Sequence, residues 1–180
     1  MGRTIGRVIA ALLVAGALLG ATIAESQAYV GIKGGIFDPN DDNKGLKNWD
    51  NGYGAELFFG GDVEPVSIEL GLGGYTTKPD KDANDSLNTG YAAGTAKGYL
   101  PLGPVSLYAG GGAGYYFSKL GDEDVDGSGL GVHLVGGAEF SLGVISLLGE
   151  VRWSQVKIEF NDASDKTNVG GLMFNVGVIF

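Results

Sequence analysis

The segment Gly171-Leu172-Met173-Phe174-Asn175-Val176-Gly177-Val178-Ile179-Phe180 alternates from end to end. Phe174, Val176, Val178 and Phe180 fall on one face, and Met173, Asn175, Gly177 and Ile179 on the other. A period of two is the mark of a strand with two unlike faces. The aromatic Phe180 is expected to sit inside the ladder rather than beyond it.

The same period recurs upstream. Tyr29–Phe37 sets Val30, Ile32 and Ile36 against Gly31, Lys33 and Gly35. Gly52–Gly60 sets Tyr53, Ala55, Leu57 and Phe59 against Gly54, Glu56 and Phe58. In Val66–Tyr75, Val66, Ile68, Leu70 and Leu72 oppose Ser67, Glu69, Gly71 and Gly73. Tyr91–Leu100 is the faintest, with Thr95 and Lys97 on one face and Ala96 and Leu100 on the other. Val105–Phe117, Leu130–Phe140 and Ile145–Phe160 follow; their polar faces carry Tyr108, then His133 and Glu139, then Glu150, Arg152 and Ser154. With the terminal segment this predicts eight strands.

The connections alternate in length. Gly61–Pro65, Pro101–Pro104 and Ser141–Val144 are tight and carry Gly or Pro. Asp38–Asn51, Thr76–Gly90, Ser118–Gly129 and Asn161–Asn168 are long, polar and acidic. Short turns at one rim and long loops at the other is the layout of a transmembrane barrel.

The N-terminus supports that reading. Arg3 and Arg7 precede the apolar run Val8–Ile23, and Ser26-Gln27-Ala28 offers small residues for cleavage. This is the layout of a secretory signal over residues 1–28, leaving 29–180 as the barrel. The run is shorter than the roughly 20 residues a spanning helix needs, and no such stretch follows it. A chain of this kind enters a membrane only as a closed barrel, because lipid cannot satisfy an open sheet edge. A lipocalin-like barrel or a sandwich would turn its apolar face inward. Here the polar face carries ionisable residues beside many glycines, which suits a narrow polar interior. Aromatics near the segment ends (Tyr29, Phe37, Tyr53, Tyr75, Tyr91, Tyr99, Phe117, Phe140, Phe160 and Phe180) are read as interfacial girdles. The expected fold is all-β: an eight-stranded antiparallel up-and-down transmembrane β-barrel.

Composition narrows the function. The 180 residues include 34 Gly and no Cys, so neither a disulfide framework nor thiolate chemistry is available. The net charge is −9, which removes any generic attraction for nucleic acid. An eight-stranded interior is wide enough only to be filled by side chains. Lys33, Lys97 and Arg152 are therefore expected to pair with Glu56, Glu69, Glu139 and Glu150, with His133 bonding Glu139 or Glu150. That network either plugs the lumen or, if one Glu exchanges cationic partners, gates a narrow path. The single His has Val135 two residues on, where a lipid-deacylating His–Ser pair would place a Ser, so catalysis is not expected.

Asp122-Glu123-Asp124-Val125-Asp126-Gly127-Ser128-Gly129 matches the first half of an EF-hand loop. Its twelfth position is His133 rather than Glu, and no helices flank it. Asp122, Asp124, Asp126 and Ser128 are candidates for Ca²⁺ or Mg²⁺ at the millimolar affinity of extracellular modules; no other cofactor is expected. Asp38, Asp41, Asp42, Asp50, Asp80, Asp82, Asp85, Asp162 and Asp165 extend the acidic character to every long connection. Trp49 is a candidate anchor for a partner, or packs on the rim or the lipid interface.

The whole of Tyr29–Phe180 resembles the small outer-membrane β-barrel superfamily of OmpA-barrel, OmpX, OmpW and opacity-type proteins. Tyr29-Val30-Gly31-Ile32-Lys33-Gly34-Gly35 and Gly103-Pro104-Val105-Ser106-Leu107-Tyr108-Ala109-Gly110-Gly111-Gly112 are similar to members of it. The resemblance implies a bacterial outer membrane protein whose partners are outer-membrane lipid or lipopolysaccharide. It also implies that Phe174, Val176, Val178 and Phe180 are the signal read by the barrel-assembly machinery, with Asn175 where that pattern often has Gly. The expected role is non-enzymatic: a plugged barrel presenting acidic extracellular loops. The alternatives are an OmpW-like narrow channel for small or amphipathic solutes and, third, a lipid A-modifying enzyme.

Overall fold

A computed structural model describes residues 28–39, 49–63, 66–78, 86–120, 125–160 and 167–180. The strands are β1 (Ala28–Pro39), β2 (Gly52–Val63), β3 (Val66–Thr77), β4 (Leu87–Leu102), β5 (Val105–Leu120), β6 (Val125–Ser141), β7 (Ser146–Phe160), β8 (Thr167–Asn168) and β9 (Gly171–Ile179). Each pairs antiparallel with its neighbours, and the β6–β7 and β1–β9 ladders close the sheet. The two-residue β8 shares the register that β9 keeps against β7 (Lys157↔Asn168, Trp153↔Leu172), so the two form one interrupted eighth strand. Phe180 exchanges backbone hydrogen bonds with Val30, which brings the last residue into the ladder as expected.

Register fixes the barrel's shape. A line drawn across the strands from Ala28 passes Gly61, Ile68, Ala96, Gly111, Leu134, Trp153 and Leu172, and returns to β1 at Asp38, ten residues further on. With a rise of about 3.3 Å and a strand spacing of about 4.8 Å, that stagger tilts the strands by about 41° and gives a backbone radius of about 8 Å. After the side chains fill it, such a tube leaves little open space.

The turns are built for their positions. Between β4 and β5 stand only Gly103, at φ 75°, and Pro104. A left-handed first residue followed by one fixed near −65° matches the twist of the flanking strands. Gly143, at φ 93°, serves the β6–β7 turn.

Period-two alternation sorts the side chains as the sequence predicts. Ile32, Leu57, Leu72, Leu130, Leu134 and Val176 are each more than half exposed on the outside. An apolar surface this continuous is a lipid-facing surface, not a water-facing one. Lys33, Glu56, Glu69, Lys97, His133, Glu150 and Arg152 are all buried inside.

Three expectations need correction. Phe37, Tyr75 and Tyr91 are not girdle residues; they share the inward parity of Lys33, Glu69 and Lys97 and are buried in the lumen. Tyr53, Phe117, Phe140 and Phe180 do face outward. Second, β4, β5 and β6 run several residues past the predicted ends, because a ladder above the membrane needs paired backbones rather than apolar side chains. Third, Val125–Ser128 belongs to β6, with Asp126 opposite Lys119 and Ser128 opposite Phe117. The backbone is already extended there, so the connection expected over Ser118–Gly129 is shorter than the sequence suggests. Asp122 and Asp124 lie outside the described residues. So do residues 1–27, where the export signal was read, and Asp41, Asp42, Asp80, Asp82, Asp85, Asp162 and Asp165. Ala28, placed by the sequence at the signal's end, pairs with Gly61.

Candidate functional site

The lumen has three levels. At the rim of the long connections, Phe37, Tyr75, Leu87, Tyr91, Tyr116, Val156, Ile158, Val169 and Met173 form an apolar cluster. Phe37 stacks on Tyr75 with centroids 4.0 Å apart, and Tyr91 tilts against Tyr116 at 5.3 Å. The buried Tyr75 hydroxyl donates to Val169 O at 2.7 Å, so the cluster leaves no polar debt there. Trp49 packs half-buried against this cluster, on the rim as one sequence reading had it.

Below the cluster lies the ion network. Arg152 on β7 grips Glu56 on β2 with both ends of its fork, Nη1–Oε2 2.5 Å and Nη2–Oε1 3.2 Å. Tyr91 donates to the same Glu56 Oε2 at 2.6 Å and accepts from Arg152 Nη1 at 3.1 Å. Lys33 on β1 sits among three carboxylates: Glu150 at 2.9 Å, Glu56 at 3.1 Å and Glu69 at 3.3 Å. Lys97 on β4 reaches Glu69 at 2.6 Å and Glu150 at 3.5 Å. Its ammonium also stands 4.6 Å over the Tyr108 ring, while Lys33 stands 4.9 Å over Phe58.

Three cations thus meet three carboxylates, all nearly inaccessible, with no net charge among the six. Buried charge is tolerated only under such balance, because an unpaired ion in a dry interior is very costly. Lumen glycines make the room. A Cβ at Gly71 would lie 2.5 Å from Glu56 Oε1, and one at Gly112 would lie 2.7 Å from His133 Nε2.

Two predicted members stand apart. Glu139 accepts from Tyr99 at 2.9 Å near the short-turn rim. It lines a mouth of about 680 Å³ with Tyr29, Asp62, Ser67 and Tyr99. His133 exchanges a 2.8 Å hydrogen bond with Thr95, not with Glu139 or Glu150, because Thr95, Gly112 and His133 share one register row and the glycine between them leaves the two side chains within reach. Ser154, opposite His133 in the ladder, turns its hydroxyl to Gly171 O at 3.2 Å, so the two do not pair as nucleophile and base.

Sequence reasoning missed Phe58, Tyr91, Thr95, Tyr108 and Asn175 as lumen partners. All five share the inward parity of the predicted charges, and that parity was the available signal. Four buried polar atoms have no hydrogen-bond partner among the described residues: His133 Nδ1, Glu150 Oε1, Arg152 Nε and Asn175 Oδ1. They lie on the adjoining strands β6, β7 and β9, with Glu150 directly opposite Asn175. Glu150 Oε1 keeps its electrostatic contact with Lys33.

Comparison with solved structures finds the same fold. Neisserial surface protein A superposes with a TM-score of 0.71 at 15% identity, over 84% of this chain and 95% of that one. The N-terminal β-barrel domain of Pseudomonas aeruginosa OprF gives 0.53 at 13%, over 86% and 98%. Ail, the attachment invasion locus protein of Yersinia pestis, gives 0.50 at 18%, over 86% and 97%. No curated protein matches the sequence directly. The family model for the outer membrane protein β-barrel domain matches residues 8–180. With a closed eight-stranded sheet, a lipid-facing exterior and a family match over nearly its whole length, the chain belongs to the outer membrane protein β-barrel domain family and is an integral protein of the bacterial outer membrane.

Proposed function

We propose that this protein is a non-enzymatic surface barrel: a plugged tube whose long connections stand on the outer face of the cell. The balanced network of Lys33, Lys97, Arg152, Glu56, Glu69 and Glu150 carries this reading, since six buried charges cross-link β1, β2, β3, β4 and β7 through the centre of the lumen. The apolar cluster above it adds a second obstruction. Function then falls to the loops, which a rigid scaffold holds in place. The names of two structural relatives, a surface protein and an attachment invasion locus protein, agree with a role at the cell surface.

The absence of Cys makes a clean test. Lys78→Cys lies beyond β3 at the long-connection rim, and Leu142→Cys lies in the β6–β7 turn. A membrane-impermeant maleimide is expected to label Lys78→Cys on intact cells, and Leu142→Cys only after the envelope is opened. Labelling of Leu142→Cys alone on intact cells would invert the topology and end the proposal.

The rival reading, a narrow channel for small or amphipathic solutes, has one observation in its favour. The four buried polar atoms that make no hydrogen bond among the described residues lie on β6, β7 and β9, the side of the lumen with spare hydrogen-bonding capacity. A rearrangement of Glu150 and Arg152 would start there.

A further inference from the structure

We propose that the short-turn mouth of the barrel is a binding site for an aliphatic diammonium compound, held by Asp62 and Glu139 from opposite walls. The assignment rests on the geometry of the mouth and stands whether or not the lumen above it conducts.

The mouth is a cavity of about 680 Å³. That is within the roughly 300–1,000 Å³ of small-molecule sites. Asp62 shares the inward parity of Glu56 on β2, and Glu139 that of His133 on β6. β2 and β6 lie four strands apart in a sheet that closes on eight, so the two carboxylates stand on opposite walls of the tube.

Nothing in the wall balances them. Lys97 shares a register row with Asp62 and Ser67, yet its ammonium is turned to Glu69 at 2.6 Å and Glu150 at 3.5 Å. Lys33 and Arg152 are likewise spent on the network above. Among the described residues no Lys, Arg or His lines the mouth. Glu139 Oε1 accepts from Tyr99 at 2.9 Å, and its Oε2 meets no protein donor among the described residues. Two uncompensated carboxylates at the end of a narrow tube make a cleft of one sign, which concentrates cations.

The space between the acids selects the kind of cation. Tyr29 OH meets Ser67 Oγ at 2.7 Å, which fixes that ring at the mouth, and Pro101 and Ile179 add apolar wall. Aromatic rings attract an ammonium, and apolar wall takes a methylene chain. Among the described residues no three acidic, His or Cys side chains gather as metal ligands. A divalent metal ion needs about six oxygens around it. Two separated carboxylates with apolar space between them instead match a short chain that carries a charge at each end.

NMR titration of the isotope-labelled full barrel in non-ionic micelles tests this, with putrescine, n-butylamine, n-butanol and Mg²⁺ as probes. Putrescine should saturate, with shifts centred on Ser67, Tyr99 and Glu139. It should bind about tenfold tighter than butylamine, because its second ammonium is tethered beside the second carboxylate. Butanol should not saturate, and an equal concentration of Mg²⁺ should not displace putrescine. Asp62→Asn and Glu139→Gln should each remove the tenfold advantage of the diamine. Asp62 is exposed at the rim, so Asp62→Asn tests the site independently of any folding defect in Glu139→Gln. Asp38→Asn, an exposed carboxylate at the opposite rim, is the charge-matched control and should bind like the parent. Heat-modifiable migration on gels checks that each variant folds. Equal affinity for putrescine and butylamine, displacement by Mg²⁺, parent-like binding by Asp62→Asn, or an equal loss in Asp38→Asn would each overturn the assignment.

Discussion

Lys33→Met removes one cation from the centre of the lumen while keeping most of its volume. Lys33 faces carboxylate oxygens at 2.9, 3.1 and 3.3 Å. At an effective dielectric of 20, each contact is a gross attraction of roughly 5–6 kcal/mol. Repulsion from Lys97 and Arg152 and the desolvation of the ammonium cancel most of the sum. The remaining loss is that of breaking a buried pair, about 3–5 kcal/mol. The variant leaves three carboxylates against two cations. Glu150 is then the most weakly held, with Lys97 at 3.5 Å and Arg152 Nε at 3.9 Å. Adding Glu150→Gln restores the balance at two and two. Glu150→Gln alone should cost about 3 kcal/mol for the opposite imbalance. The double variant should cost only about 1–2 kcal/mol, a coupling well beyond the roughly 0.5 kcal/mol by which independent sites depart from additivity. Urea unfolding of the four proteins in lipid vesicles measures the cycle. A single-variant cost under about 1 kcal/mol, or additive costs in the double, would refute the charge-balance reasoning.

Two other outcomes follow from the same geometry. Gly71→Val places a Cβ 2.5 Å from Glu56 Oε1 and should destabilise the barrel by about 1–3 kcal/mol, whereas Gly98→Val, which opens onto free space outside, should be neutral in the same urea titration. Because His133 is spent on Thr95 and Ser154 on Gly171, lipid A from cells expressing the protein should keep all its acyl chains by mass spectrometry; a lost chain would show catalysis at a site the His133–Ser154 argument overlooks.

Much of the fold was legible because a barrel wall obeys a single rule. Once Lys33, Glu56, Glu69, Lys97, Glu150 and Arg152 were seen on one parity and Ile32, Leu57, Leu70 and Leu134 on the other, inside and outside were fixed for every strand. The partners of each charge were not legible, since they depend on stagger. Arg152 and Glu56 are 96 residues apart in sequence, and only the ten-residue offset of the closed sheet brings them level. The same parity argument, had it been applied to Phe37, Tyr75 and Tyr91, would have moved them from the girdle to the lumen. Their position near strand ends pulled the reading the other way. The start of β6 at Val125 was not legible for a different reason. A loop-like composition and a metal-loop spacing said nothing about whether the backbone stays paired, and from Val125 onward it does.

Single-channel recording from the folded barrel in a planar bilayer tests the plugged lumen most directly. The balanced network and the apolar cluster above it predict silence from the parent and from Arg152→Ala alike, with folding checked in the same preparation. Discrete, sustained current steps from the parent protein, altered by Arg152→Ala, would contradict the plug and make Glu56, Glu150 and Arg152 a gate.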